Sequence, residues 1–223
     1  MPKKTISRRD FLKTSGIILG SAALIGSGIV IPEMNKPENI LPKFEFGENN
    51  MENRILVTYA SQAGATAGVA EAIGKSLSAG GAQVDVLPMN DVKDLSPYRS
   101  VVAGSAIHGQ KWLPEALKFL RENRSELSHK SFASFMVCIT LSMANANQYR
   151  EGLKDWMIPV REIVRPVSEG YFAGVLDFSR LPFSINALGM RLVVLFGLWK
   201  EGDHRDWNAI RNWAESLRPL LIK

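Results

Sequence analysis

From Arg54 onward the apolar positions switch repeatedly between two spacings. Ile55-Leu56-Val57-Thr58-Tyr59 is a short, continuous, β-branched run, the pattern of a strand buried on both faces. Residues 66–79 change to helical spacing, with Val69, Ala70, Ile73 and Leu77 on one face and Gly80-Gly81 as the stop. The same alternation predicts a strand at Val84–Leu87, a short helical turn near Val92 and a strand at Ser100–Gly104. Next come a helix over Pro114–Asn123 with proline in its first turn, and a nine-residue strand over Phe132–Thr140. A helix over Asn147–Met157 is disrupted by Pro159, a fifth strand covers Tyr171–Phe178, and Asp206 caps a last helix that ends at Leu217 before Pro219.

Strands alternating with helices require a parallel sheet with helices on both faces. Five strands in this length fit an α/β, doubly wound parallel sheet of order 2-1-3-4-5. An apolar helical stretch is inserted before the last helix.

The chain before Arg54 follows neither period. Residues 1–31 carry Lys3, Lys4, Arg8 and Arg9 ahead of an apolar, small-residue stretch from Gly16 to Ile31, the layout of an export signal. Ser7-Arg8-Arg9-Asp10-Phe11-Leu12-Lys13 resembles the twin-arginine consensus, a receptor-read address. Ile29-Val30-Ile31-Pro32 stands where a small-x-small cleavage site would fall, so residues 16–31 can remain as a membrane anchor. The domain is expected to be exported by the twin-arginine route or anchored to the cytoplasmic membrane, on its outer face. Residues 32–53, with Pro32, Pro37, Pro42 and five asparagines, are expected to be a linker, followed by one domain over 54–223.

Composition narrows the chemistry. Among 223 residues there is one cysteine, Cys138, so neither a disulfide framework nor a cysteine-ligated metal site is expected. His129 and His204 lack any ligand spacing around them, and no metal site is expected. A net charge of +5 is spread along the chain, and nucleic acid is not an expected partner.

In such a sheet ligands bind beyond the carboxyl ends of the strands, at the switch point between strands one and three. Three loops should meet there. Ser61-Gln62-Ala63-Gly64-Ala65-Thr66 has two hydroxyls, one glycine and small side chains before a helix start, where N–H groups and the helix dipole favour a phosphate. It lacks a G-x-x-x-x-G-K-[ST] lysine and a G-x-G-x-x-G pattern, which disfavours a triphosphatase and a dinucleotide site. The loop suits one monophosphate held by neutral donors, as in FMN, or is a plain turn. Gly104-Ser105-Ala106-Ile107-His108-Gly109-Gln110-Lys111-Trp112 allows close approach to a flat ring. His108 or Trp112 could cover a ring face and Lys111 could stabilise a reduced flavin, unless Trp112 is only a packing residue. Thr140-Leu141-Ser142-Met143 offers hydroxyl and backbone donors, or an ordinary helix cap.

Together these loops resemble the flavodoxin family over residues 54–217. Ser61, Gly64 and Thr66 match its phosphate loop, T/S-x-T/S-G-x-T, while Ala63 and Ala65 replace its usual hydroxyl and Asn. Val102-Ala103-Gly104-Ser105-Ala106-Ile107-His108-Gly109 resembles the corresponding segment of the flavodoxin-like, quinone-dependent protoporphyrinogen oxidases. The resemblance implies FMN, two-electron chemistry and a quinone or redox-protein partner. It gives cofactor contacts at Ser61, Gln62, Ala63, Gly64, Ala65, Thr66, Ser105, Ala106, Ile107, His108, Gly109, Lys111, Trp112, Thr140, Leu141 and Ser142.

Residues 181–199 exceed a minimal flavodoxin. Ile185, Leu188, Leu192, Leu195 and Trp199 form a helical stripe, a candidate for membrane contact, for a cover over a lipophilic substrate, for packing against the domain's own sheet or for a homodimer face. No side-chain catalyst is expected, because the flavin would carry the chemistry. The leading expectation is an FMN-dependent oxidoreductase that passes electrons from a reduced, protoporphyrinogen-like donor to a quinone or other acceptor. The alternatives are an FMN electron carrier without its own substrate and a flavin-free binding module.

Overall fold

The computed structural model describes residues 41–48, 51–143, 151–177 and 200–222. The twin-arginine segment, the apolar stretch 16–31 and the stripe of 185–199 lie outside the described residues. The sheet and its helices lie within one compact unit, Ile40–Lys223.

The sheet consists of β1 (Phe44–Phe46), β2 (Arg54–Ala60), β3 (Gln83–Pro88), β4 (Ser100–His108), β5 (Lys111–Trp112), β6 (Ser131–Val137) and β7 (Ser168–Phe172). Its order is β1-β3-β2-β4-β6-β7, with β5 folded back on β4. The five central strands are parallel and reproduce the expected 2-1-3-4-5 order. Among the described residues the α-helices are α1 (Ala65–Ser78), α2 (Pro114–Glu122), α3 (Arg124–Ser128), α4 (Ile158–Ile163) and α5 (Trp207–Leu221).

Continuous apolar strands need cover on both faces, and two separate cores supply it. On one face Val57, Tyr59, Val84, Val86, Val102 and Phe135 pack against α1 and α5 through Val69, Ile73, Leu77, Ile210 and Leu217. On the other, Leu56, Val101, Ala103, Phe132 and Met136 pack beneath α2, α3 and α4 through Leu120, Leu127 and Val160. The alternation of neighbouring strand residues between these clusters is the period-two geometry of a strand.

Five local expectations are corrected by tertiary contacts. Residues 44–46, expected within a linker, form an antiparallel edge strand on β3, with Phe44 and Phe46 packed against the first core. The Tyr59 hydroxyl donates to Pro42 O and fastens the same segment. The fourth parallel strand ends at Val137, and Ile139–Ser142 coil into a 3-10 turn. Pro159 opens α4 rather than only ending a helix, since proline suits a first turn. The expected fifth strand splits into β7 and β8 (Val175–Leu176), and β8 pairs with β9 (Gly202–Asp203) in a two-stranded sheet. Pro219 lies inside α5, which continues to Leu221. Proline removes one N–H there, but Leu217 and Leu221 are buried and the Ser100 hydroxyl donates to Leu221 O, so packing holds the last turn.

Candidate functional site

Parallel register aligns the carboxyl ends of the three central strands. Ala60 of β2 lies beside Ser105 of β4, which lies beside Met136 of β6. The loops that leave these strands therefore start side by side on one edge of the sheet, at spacings of about 4.8 Å per strand.

The first loop turns on Gly64, whose φ of 83° is left-handed and favours glycine. Its N–H donates to Ser61 Oγ at 3.0 Å, which closes the loop on itself, and α1 begins at the next residue. The first N–H groups of a helix lack intrahelical partners and carry partial positive charge. No acidic residue occupies the first turn of α1, so no carboxylate competes for that end. Thr66, second in the helix, is fully buried, and its hydroxyl has no hydrogen-bond partner. Thr58 and Ser134 also hold unpartnered buried hydroxyls. Those two lie in mid-strand, both in register with Ala103, whereas Thr66 lies in the first turn of α1. An orphaned donor beside a helix N-terminus is the arrangement a phosphate oxygen completes. Gln62 is exposed, while Ser61, Ala63 and Ala65 are half-buried.

The second loop is a hairpin rather than an open loop. Ile107 pairs with Trp112 and His108 with Lys111. Gly109 and Gln110 between them have φ of 56° and 66°, the paired positive values of a type I′ turn. His108, Gly109 and Lys111 are exposed at its tip, and Ala106 and Ile107 are half-buried at its base. Ser105 is buried, and its hydroxyl donates to Ala106 O at 2.8 Å and accepts from Leu113 N at 3.0 Å. It thereby ties β4 to the chain that leaves the hairpin.

Two expectations change here. Trp112 is buried in the second core, with Nε1 donating to Met157 Sδ at 3.3 Å, so it is a packing anchor and not a ring platform. Gly104 does make room for a flat ring, but the ring is the protein's own. A Cβ at Gly104 would lie 2.0 Å from Phe135 Cζ. Phe135 meets the rings of Phe172 and Trp213 at 6.2 Å each, so its position is set among neighbouring rings.

In the third loop Thr140, Leu141 and Ser142 are half-buried in the 3-10 turn. Ser142 Oγ donates to Ile139 O at 2.7 Å, so its hydroxyl stabilises the turn. Cys138 precedes it, buried, and burial pushes its thiol pKa up to about 11. A thiol so placed stays protonated at neutral pH and is a poor nucleophile. Among the described residues no group of His, Cys, Asp or Glu is arranged to hold a metal.

One contributor has no signature in the sequence. Arg205, far along the chain, directs Nη1 toward Ala65 O in the first turn of α1 at 3.4 Å. An arginine two residues after an aspartate has no local signal that would place it there.

This geometry defines an α/β domain with a small-residue, hydroxyl-bearing loop at the switch point of a doubly wound sheet. The flavodoxin domain profile matches residues 56–194, more than half of the chain, and the protein belongs to that family. Membership implies binding of FMN and electron transfer, and the residues of the first loop fit a flavin phosphate. No curated protein matches the sequence. Similar solved structures include flavodoxin 2 from Bacillus cereus, 21% identical with a TM-score of 0.48, covering 74% of this chain and 98% of that one. Another is the flavodoxin of Streptococcus pneumoniae TIGR4, 15% identical with a TM-score of 0.47, covering 74% of this chain and 98% of that one. Rubredoxin:oxygen oxidoreductase from Desulfovibrio gigas is 14% identical with a TM-score of 0.42, covering 77% of this chain and 37% of that one.

Proposed function

We propose that the protein is an FMN-dependent oxidoreductase that takes electrons from a reduced donor and passes them to a quinone or another acceptor. The observation that carries this reading is the unpartnered, fully buried Thr66 hydroxyl beside left-handed Gly64 at the start of α1. Bound FMN would supply the two-electron chemistry. Thr66 and Ser61 would donate hydroxyl hydrogen bonds to the phosphate, together with the first N–H groups of α1. Ala106, Ile107 and the exposed His108–Lys111 tip would border the ring, with Lys111 a candidate to balance negative charge on the reduced form. Thr140 and Leu141 would add hydroxyl and backbone contacts from the third loop.

A protoporphyrinogen-like donor is the finer version of this proposal and rests on the resemblance of Val102–Gly109. The charge of residues 51–223, with 20 Lys and Arg against 17 Asp and Glu, favours an enzyme over an acidic shuttle that steers by a negative face. We further propose that residues 1–31 act as a twin-arginine address or anchor and bring the domain to the membrane, where a quinone acceptor would be found. The test is FMN titration of the full chain, followed by removal of excess ligand and a visible spectrum. A retained flavin band that a porphyrinogen or another reduced donor bleaches, and a quinone restores, is the expected result. A colourless protein refutes the proposal.

A further inference from the structure

Arg205 is held on three sides, and a glycine leaves room for it. Its Nε and Nη2 donate to Asp203 Oδ1 and Oδ2 at 2.9 and 2.6 Å, a bidentate pair. Its guanidinium carbon lies 4.3 Å over the Trp207 ring. Its Nη1 reaches Ala65 O at 3.4 Å. Gly68 supplies the space, since a Cβ there would lie 2.4 Å from Nη1. Ala65 and Gly68 bracket Thr66, so this side chain grips the turn of α1 that carries the orphaned hydroxyl.

A bare cation at a helix N-terminus opposes the helix dipole. Asp203 removes that objection, and it is itself fixed by the β8–β9 pairing of Val175 with Asp203. The same helix is gripped at its other end in the favourable sense. Arg218 donates from Nε and Nη2 to Ser76 O at 3.2 and 2.6 Å, near the carboxyl terminus of α1. The two arginines thus offer a matched comparison, because both join α5 and its approach to α1 but only one does so behind the phosphate loop.

We propose that Arg205 is a positioning residue for phosphate recognition. It pins the first turn of α1, so that the N–H groups and the Thr66 hydroxyl are already oriented when a phosphate arrives. This rests on the FMN reading. It adds that the phosphate share of the affinity depends on a residue that never touches the ligand. Preorganised donors bind more tightly because less ordering accompanies binding.

The experiment compares FMN with riboflavin, which has the same ring and no phosphate, on the full chain and its Arg205→Gln and Arg218→Gln variants. Arg205→Gln should weaken FMN binding by about tenfold, within the usual range of coupling between sites. Riboflavin binding should stay within about twofold, because only the phosphate contact depends on the pinned turn. Arg218→Gln should leave the ratio of the two affinities unchanged. In the ligand-free protein, amide exchange over residues 61–68 should speed up in Arg205→Gln and not in Arg218→Gln. If Arg205→Gln does not fold, Arg205→Lys keeps the charge and loses the bidentate fork, and the same ratio decides. An unchanged ratio in a folded variant overturns the inference and leaves the flavin reading intact. A wild-type chain that binds no FMN overturns both.

Discussion

Gly104 offers the sharpest test of how the central strand was built. Two accounts of this glycine compete, one in which it lets a cofactor ring approach and one in which it accommodates Phe135. The geometry favours the second, with a substituted Cβ 2.0 Å from Cζ and 2.3 Å from both Cε atoms of Phe135, over the ring itself. Phe135 is fully buried and bounded by Phe172 and Trp213. Overpacking of a tight core costs about 1–3 kcal/mol, and a contact this short belongs at or above the upper end. The entropic gain of replacing glycine returns only about 0.4–1 kcal/mol. Gly104→Ala should therefore destabilise the protein by about 2–3 kcal/mol, or about 4–12 °C in Tm for a domain of this size. Urea unfolding, with the midpoint moving and the slope constant, measures it. Phe135→Ala alone should cost about 3–5 kcal/mol through its cavity. The double variant should cost less than the sum, because the new methyl enters space the ring has vacated. A Gly104→Ala protein within about 0.5 kcal/mol of wild type would refute this account. If such a protein had also lost flavin affinity, the ring-approach account would replace it.

Further outcomes follow from the same contacts. Gly64→Ala places a side chain at a φ of 83°; it should lower stability by about 1–2 kcal/mol and weaken FMN more than riboflavin, as paired titrations would read. Asp206→Ala removes the acceptor for Asn208 N and Ala209 N at the start of α5, and should cost about 1 kcal/mol in thermal unfolding. Burial works to raise the Glu169 pKa, but hydrogen bonds from Arg161 and Tyr171 and the Arg161 charge outweigh it and hold the carboxyl below its usual range. Its stabilising contribution is thus complete above the ordinary carboxylate pKa of about 4.3 and is lost as pH falls through the depressed value. Glu169→Gln should flatten that part of an acid-unfolding profile. Cys138, buried with its pKa pushed up to about 11, should resist a thiol reagent in the folded protein and react on unfolding.

The core strands and first helix were legible along the chain because their signals are local. The run Ile55–Tyr59 and the spacing Val69, Ala70, Ile73, Leu77 each bury against a layer that any doubly wound sheet provides. The Gly64 turn ahead of α1 was legible for the same reason, since a glycine between hydroxyl residues before a helix start is complete within six residues. The role of Gly104 was not, because the ring it accommodates arrives from Phe135 on the neighbouring strand. Trp112 and Ser105 had polar groups suited to a ligand, but the hairpin of β4 and β5 turned one into the core and bonded the other to Leu113. The edge strand at Phe44–Phe46 depended on an open side of β3, and the helical place of Pro219 on burial of Leu217 and Leu221. Arg205 meets Ala65 only after the sheet brings residues 140 positions apart together. By itself the sequence determined the elements and the loop chemistry, because backbone propensity and apolar period act over a few neighbours. The tertiary structure decided which polar groups are taken by internal partners and which are left for a ligand, because that depends on contacts between distant segments.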